Sequence, residues 1–209
     1  MANGDRWPEE LNKNTGQRLC VLDKLRGRVD ATLLRLGRGA ARIMPSPTSW
    51  TATGLVFSLL AAFLFSVGHP IDNILAGIMV LVSGFFDIVD GAVARSTNRM
   101  SKLGAFLDST MDRIGESSIY LGILLGSSTA PLIVFLALAA SMLVSYTRAK
   151  AEALSVNLAG VGIGERSERL IAITIAALFG LLPIGVLVVA ALAIVTISER
   201  VVRVARSLK

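Results

Sequence analysis

The sequence predicts an all-α integral membrane protein, a bundle of about six transmembrane helices with an N-terminal juxtamembrane amphipathic helix. Its 209 residues are 53% hydrophobic and 17% charged, with a mean hydropathy of +0.66, which is far too apolar for a soluble domain of this size. Apolar segments close to the length that a bilayer core requires recur at 50–67, 73–92, 104–127, 130–146, 170–182 and 184–198.

The number of helices depends on the last two segments, which are short and are separated only by Pro183. Read as two helices, they complete six spans. The alternative is that they form one kinked or re-entrant segment.

Glycine and alanine occur at many positions in the spans, among them Gly54, Gly77 and Ala176. Because small residues let membrane helices approach closely, we expect a tight bundle.

The positive charges indicate the orientation. With six spans and a cytoplasmic N-terminus, all 21 lysines and arginines lie on or near the inner side, and the loops at 68–72, 126–131 and 181–185 carry none. This distribution satisfies the positive-inside rule, so we expect a multi-pass protein of the cell membrane with both termini in the cytoplasm. The net charge of +6 then reflects topology and attraction to anionic lipid, and no nucleic-acid partner is expected.

The chain divides into a cytoplasmic lead with an interfacial helix at 1–44 and a six-helix membrane domain at 45–209. Within 18–44, apolar residues recur at intervals of three and four, with basic residues between them, which predicts a helix lying on the inner leaflet. A cytoplasmic helix packed on the protein is the alternative. The apolar positions are Leu22, Leu25, Val29, Leu33 and Leu36.

A short segment precedes the first span. It contains Pro45 and Pro47, which stop the preceding helix, and then a run of hydroxyl residues that can cap the first membrane helix. Trp50 is well placed for an aromatic ring at the membrane interface. The hydroxyl residues are Thr48, Ser49 and Thr51, with Trp50 between them.

Four aspartates interrupt the apolar pattern. Asp87 and Asp90 end one apolar segment, and Asp108 and Asp112 begin the next, with a short basic loop between them. Residues three or four apart share one face of a helix, so two adjacent helices could direct all four carboxylates at one point. Ionisable groups in membrane spans are costly and usually functional.

Such a cluster calls for a cation, because carboxylates so close together repel one another. The single cysteine and the single histidine, Cys20 and His69, lie elsewhere in the sequence, so the ligands are oxygen atoms only. Oxygen ligands favour a hard ion, Mg²⁺ or else Mn²⁺. Two ions about 4 Å apart would use all four groups and would suit a phosphoryl displacement.

The residues around the acids fit a phosphate ligand. Gly91 and Gly104 remove side chains near the acids, so that a ligand can approach closely. Arg95, five residues after Asp90, has a guanidinium fork suited to phosphate. The alternative is purely structural: the acids would form buried salt bridges with Arg95 and Arg113 and take part in no chemistry.

The pattern Asp-x2-Asp-Gly-x2-Ala-Arg-x8-Gly-x3-Asp-x3-Asp resembles the signature of the CDP-alcohol phosphotransferase family, with no position missing. The likeness extends through the six-span layout from about residue 45 to the C-terminus. The eight positions are filled by Asp87, Asp90, Gly91, Ala94, Arg95, Gly104, Asp108 and Asp112.

The resemblance implies transfer of a phosphatidyl-type group from a CDP-linked lipid, CDP-diacylglycerol or CDP-archaeol, to an alcohol, with release of CMP. It implies that Asp87, Asp90 and Asp108 hold the metals. Asp112 would contact the second ion and take the proton from the attacking hydroxyl. A homodimer is also implied. The implied nucleotide contacts are Gly91, Ala94, Arg95, Ser101 and Gly104, together with Thr48, Ser49, Trp50 and Thr51.

The acceptor alcohol depends on a second group of residues, four cations near the expected site. If they converge, they would bind a dianionic phosphate, which inositol phosphate and glycerol phosphate carry and free inositol does not. The alternative is ordinary positive-inside charge, with nearby glutamates as partners. The cations are Arg148, Lys150, Arg166 and Arg169, and the glutamates are Glu152, Glu165 and Glu168.

Both segments resemble the inositol phosphate branch of the family, which tends to have Ser-Tyr-x-Lys-Ala-Arg-Ala-Glu and Glu-Arg-x-Glu-Arg. This chain departs by exchanging two cations, with Arg148 where lysine is usual and Lys150 where arginine is usual. We therefore expect inositol 1-phosphate as the acceptor. The alternatives are a phosphatidylglycerolphosphate synthase that uses glycerol 3-phosphate, a cation or proton transporter with intramembrane carboxylates, and a scaffold without chemistry.

Overall fold

The computed structural model describes residues 20–126, 129–158 and 160–208, with side chains from Thr32 onward. Within these ranges the protein is all-α, as predicted, and its helices follow one another with short connections. They are α1 (Cys20–Ile43), α2 (Pro47–Val67), α3 (Pro70–Ser96), α4 (Lys102–Leu125), α5 (Pro131–Ala153), α6 (Arg166–Leu178) and α7 (Leu182–Ser207). The predicted lead at 1–17 lies outside the described residues.

Among the helices that the structure describes, four are long and apolar enough to cross a membrane, namely α2, α3, α5 and α7. The other two helices of the predicted six-span bundle, α4 and α6, do not combine this length with this apolar character. Helix α4 has 24 residues but carries Asp108, Asp112, Arg113 and Glu116, while α6 has only 13 residues. The structure therefore supports a membrane protein, and the count of six spans stays a prediction.

The segments around Pro183 form two separate helices. Helix α6 ends at Leu178, and the chain turns at Gly180, whose φ of +69° is a conformation that glycine adopts easily. Pro183 lies in the first turn of α7, where its missing N–H costs nothing. A single kinked segment was therefore the wrong alternative. Helix α7 is also longer than the apolar stretch at 184–198 and continues to Ser207.

The start of α2 differs from the prediction. The helix already begins at Pro47, so the hydroxyl residues lie inside it, and Ser46 in the capping position makes no side-chain capping bond. The turn is held instead by Trp50, whose Nε1 donates to the Met44 carbonyl at 2.9 Å. Arg99 from the α3–α4 connection adds a hydrogen bond from Nη1 to the Pro45 carbonyl at 3.0 Å.

The bundle is organised around α2, which packs closely against both α3 and α4. Helix α6 packs on α3 and α7, α5 packs on α7 and α4, and α1 packs on α3. Small residues make the close crossings, as the sequence predicts. A side chain at Gly122 would collide with the Ala62 carbonyl of α2, and one at Gly37 of α1 would collide with the Ala92 carbonyl of α3.

The apolar side chains divide between a core and an outer face. The core cluster includes Phe65, Ile119 and Ile173, all of them fully buried. Many large apolar side chains remain exposed, such as Phe63 and Leu132, which is the pattern of helices that face lipid.

Candidate active site

The motif acids come together at one end of the bundle. Asp87 and Asp90 lie near the end of α3, and Asp108 lies in the second turn of α4, after the connection at 97–101. One ligand oxygen from each of these three carboxylates lies within 4.8 Å of the others. The predicted convergence is thus confirmed for three of the four acids.

Two of these carboxylates carry oxygens without a hydrogen-bond partner. Asp90 Oδ2 and Asp108 Oδ1 are buried, and within the described part of the chain they accept no hydrogen bond. An unsatisfied buried carboxylate oxygen is costly, and a divalent cation removes that cost by coordination. The three residues therefore could hold a hard metal ion.

Asp112 lies beside this cluster and is tied to a cation. Its Oδ1 lies 2.9 Å from Arg166 Nη1, and the same nitrogen lies 3.2 Å from Asp87 Oδ2. Arg113 Nη1 approaches the other Asp112 oxygen at 3.5 Å. Arg166 is the first residue of α6, so this helix joins the acids directly.

Among the residues expected near the nucleotide, Thr51 lies beside the acids and Ser101 holds the first turn of α4. Thr51 is buried in α2 and lines a small cavity together with Asp87, Asp90 and Asp112. The Ser101 hydroxyl accepts a hydrogen bond from the Gly104 amide at 3.0 Å and so caps α4.

Gly91, which has no side chain, leaves space on α3 for the Arg95 guanidinium. A Cβ at Gly91 would lie 3.3 Å from Arg95 Nη1, so a larger residue at position 91 would crowd the guanidinium. Arg95 is exposed and Ala94 half-buried.

The other two hydroxyl residues and Trp50 precede Thr51 in the first turn of α2. Thr48 is half-buried and Ser49 is exposed in the first turn of α2. Trp50 is 8% exposed, and its ring stacks on Phe86 with 5.6 Å between the centroids. The expectation of a tryptophan ring at the membrane interface was wrong, because the indole packs inside the protein among α1, α2 and α3.

A cavity of about 1020 Å³ opens beside Asp87 and Asp112. Its lining includes these two carboxylates, Arg148 and Arg166, together with apolar side chains of α3, α4, α5 and α6. The cavity therefore combines acids, cations and apolar surface, as an enzyme with a polar and a lipid substrate requires. The apolar residues include Val80, Leu81, Phe85, Phe106, Met142, Leu170 and Ile171.

Three of the four predicted acceptor cations, Arg148, Arg166 and Arg169, line this cavity, and Lys150 does not. Arg148 lines the cavity and pairs with Glu152 at 3.1 Å and Glu165 at 3.6 Å. Arg166 lines it beside the acids. Lys150 is exposed and does not line this cavity, so the structure does not bring it to the site.

Arg169 has a partner that the sequence reasoning missed. Its side chain is 1% exposed, and its Nε and Nη2 donate to the two Glu116 oxygens at 2.8 Å each. Its Nη1 donates to the Gly164 carbonyl at 2.6 Å. Glu116 follows Asp112 by one helical turn on α4, so a signal was present: another acid on the same face of a predicted span.

Arg200 on α7 lines the cavity and is a second residue that the sequence reasoning missed. It is buried and donates to the Val144 carbonyl at 2.7 Å, the Val161 carbonyl at 3.0 Å and Glu165 Oε1 at 3.2 Å. Its position near the end of the chain looked like ordinary positive-inside charge, and only the folded contacts distinguish it.

Comparison with known proteins identifies the family. A family model described as CDP-alcohol phosphatidyltransferase matches residues 44–206, which include all of the motif acids and the cavity cations. The chain belongs to the CDP-alcohol phosphatidyltransferase family. It is an enzyme of phospholipid biosynthesis in a membrane, as the motif at 87–112 predicts.

Curated relatives and solved structures agree with this assignment. An archaetidylinositol phosphate synthase of Pyrococcus horikoshii is 42% identical over 181 residues, 87% of this chain and 95% of the relative. A phosphatidylinositol phosphate synthase of Streptomyces avermitilis is 34% identical over 180 residues, 77% of this chain and 72% of the relative.

The solved structures are of a phosphatidylinositol phosphate synthase from Mycobacterium tuberculosis, 28% identical to this chain. With CDP-DAG bound, its TM-score is 0.72, over 82% of this chain and 92% of that one. In complex with manganese and citrate, its TM-score is 0.73, over 83% and 88%.

Proposed function

We propose that this protein transfers a phosphatidyl-type group from a CDP-linked lipid to the hydroxyl of inositol 1-phosphate, giving a phosphatidylinositol phosphate or its archaeal ether analogue and CMP. One observation carries the proposal: Arg148 and Arg166 line the same cavity as Asp87 and Asp112. A phosphate held by two arginines would place the rest of a phosphorylated alcohol beside the acids. The names of the relatives support an inositol phosphate lipid as the product.

Asp87, Asp90 and Asp108 would hold the metal, and Asp112 would contact a second ion. We propose Mg²⁺, with Mn²⁺ as the alternative, because the donors are carboxylate oxygens only. When bound, the ions would stabilise the negative charge of the pyrophosphate that is cleaved. The manganese complex of the Mycobacterium tuberculosis relative supports a divalent ion in this family.

The remaining chemistry falls to side chains of this chain. Asp112 accepts the proton of the attacking hydroxyl, whose oxygen forms a bond to the lipid phosphorus while the bond from that phosphorus to the CMP oxygen breaks. Arg166 orients Asp112 through the 2.9 Å contact and lies where it can also meet the acceptor phosphate. Arg148, on the facing helix α5, supplies the second cation.

The CDP group would lie over the polar ends of α2, α3 and α4. Thr51 beside the acids and the turn held by Ser101 support this placement. Gly91 and Gly104 keep the approach open. The proposed contacts are Thr48, Ser49, Trp50, Thr51, Gly91, Ala94, Arg95, Ser101 and Gly104.

The membrane arrangement is also proposed. Helices α4 and α6 would complete a six-span domain at 45–209, with the N-terminal region at 1–44 on the inner surface and both termini in the cytoplasm. The active site would then open to the cytoplasm, where a soluble phosphorylated alcohol can meet a lipid donor. We expect a homodimer in the cell membrane.

An acceptor assay tests the proposed function. Purified protein in detergent, with Mg²⁺ or Mn²⁺, is mixed with CDP-diacylglycerol or CDP-archaeol and radiolabelled inositol 1-phosphate. The proposal predicts a labelled lipid that retains the acceptor phosphate. Absence of label from inositol 1-phosphate, together with product from glycerol 3-phosphate, would show that the acceptor assignment is wrong.

A further inference from the structure

Glu116 continues the line of acids on α4 one turn beyond Asp112. Residues at intervals of four lie on the same helix face, so the three acids of α4 form a row directed at α6. Unlike Asp108 and Asp112, which are half-buried, Glu116 is almost completely buried, with 1% of its surface exposed. Its two oxygens accept hydrogen bonds of 2.8 Å from Arg169, a bidentate pair.

Two ion pairs therefore connect α4 and α6. The outer pair joins Asp112 to Arg166 at the cavity, and the inner pair joins the buried Glu116 to Arg169, whose side chain is 1% exposed at the cavity wall. The spacing is four residues on α4 and three on α6, so both pairs connect the same two helix faces. The inner pair fixes both the distance and the rotation of α6, because a bidentate fork permits little change in either.

The inner pair also holds the segment that leads into α6. Arg169 Nη1 donates to the Gly164 carbonyl, and the Gly164 amide donates to Thr196 Oγ1 at 2.9 Å. Gly164 lies two residues before Arg166. The start of α6 is thus held from α4 through Glu116 and Arg169, and from α7 through Thr196.

A buried ion pair adds little net stability, because the desolvation cost of the two charges offsets their attraction. Apolar side chains of similar volume could fill the same space between α4 and α6. What apolar side chains could not supply is the fixed geometry of a guanidinium held at three points. The contacts therefore point to a role in placing neighbouring groups rather than in stability alone.

We propose that Glu116 is a positioning residue for the transfer reaction. It holds Arg169, and through Arg169 the Gly164 carbonyl, so that Arg166 lies beside Asp112 and faces the acceptor phosphate. The role assigned to Arg166 rests on the proposed function. In this arrangement Arg169 acts through its contacts and not as a direct phosphate ligand.

The test uses Glu116→Gln, which is nearly isosteric and leaves Arg169 in place. We expect the KM for the acceptor to rise about tenfold, while the KM for the CDP-lipid and the affinity for Mn²⁺ change less than about twofold. If Arg169 were itself the phosphate ligand, freeing it from Glu116 would leave the acceptor KM unchanged or lower it. Glu168→Gln is the matched control, an exposed acid of α6, and should leave all three quantities unchanged.

A second variant separates positioning from folding. Glu116→Leu combined with Arg169→Met replaces the ion pair by apolar side chains, and thermal unfolding in detergent should stay close to that of the unaltered protein. We expect its acceptor KM to stay raised. Recovery of a normal acceptor KM together with stability would overturn the proposal, as would an unchanged KM in Glu116→Gln. If Glu116→Gln does not fold, the double variant still tests the proposal, because a normal acceptor KM in it would overturn positioning.

The result of the Glu116→Gln test can be distinguished from the result of the acceptor assay that tests the proposed function. If the unaltered protein uses glycerol 3-phosphate and not inositol 1-phosphate, the acceptor assignment fails, and the same KM comparison is made with glycerol 3-phosphate. A rise in that KM in Glu116→Gln would still support positioning, and no rise would overturn it.

Discussion

A single nitrogen of Arg166 lies 2.9 Å from Asp112 and 3.2 Å from Asp87. The two acids come from different halves of the motif, on α4 and α3, and the arginine comes from α6. This contact joins the carboxylates to the wall of the cavity that carries Arg148. It explains how residues 54 or more positions apart can act on one substrate.

The first prediction concerns this contact. Arg166→Lys keeps the charge but loses the fork, so it cannot hold Asp112 and a phosphate together. We expect lipid formation at saturating CDP-lipid to fall roughly 10- to 100-fold. Arg203→Lys, an exposed arginine on α7, is the control and should behave like the unaltered protein. Equal activity in Arg166→Lys would remove Arg166 from the site.

The second prediction concerns the metal. Asp108→Asn removes a carboxylate from the cluster of three, and we expect Mn²⁺ binding, followed by electron paramagnetic resonance, to weaken by more than about tenfold. Lipid formation should be lost in parallel. Asp72→Asn makes the same change in the first turn of α3, at the other end of that helix, and should leave binding intact. Similar Mn²⁺ affinity in both variants would contradict the proposed ligands.

The third prediction compares two neighbouring cations. Arg148 lines the cavity and Lys150 does not. We expect Arg148→Gln to raise the KM for the acceptor by about tenfold and Lys150→Gln to leave it within about twofold. A steady-state titration of inositol 1-phosphate measures both. Equal effects would indicate a general field of positive charge and not a defined phosphate contact.

The fourth prediction concerns the close crossing of α2 and α4. Gly122→Ala places a methyl group against the Ala62 carbonyl, and we expect a loss of about 1–3 kcal/mol in the free energy of unfolding. Gly84→Ala in α3 meets no atom within 4 Å and serves as the control. Thermal unfolding in detergent should show a lower midpoint for Gly122→Ala alone. Equal midpoints would mean that the helices can separate without cost.

The motif acids could be placed from the sequence because intervals of three and four residues define one helix face whatever the neighbouring helices are. The same reasoning could not choose between Arg148 and Lys150. Two residues along a helix differ by about 200° in direction, so only one of them can face a given neighbour. The sequence does not say which side of α5 that neighbour occupies.

The other predictions were limited because they depend on contacts between residues that lie far apart in the sequence. Arg169 follows Arg166 by one turn and seemed equally available for a phosphate. Glu116, 53 positions away, instead accepts hydrogen bonds from its guanidinium. Tryptophan is a residue type common at membrane interfaces, yet Trp50 is enclosed by α1 and α3. A break near Pro183 was predicted, but the turn lies three residues earlier, at Gly180, because the apolar pattern continues across the turn while the backbone changes direction.

CMP release tests the central claim most directly. The purified protein is incubated with a CDP-linked lipid and Mg²⁺ or Mn²⁺, with and without inositol 1-phosphate, and compared with Asp112→Asn. We predict CMP in equal amounts with a phosphoinositide product, only when metal and acceptor are both present, and a loss of roughly 100-fold or more in the variant. No CMP from the unaltered protein, or equal CMP from Asp112→Asn, would contradict the account.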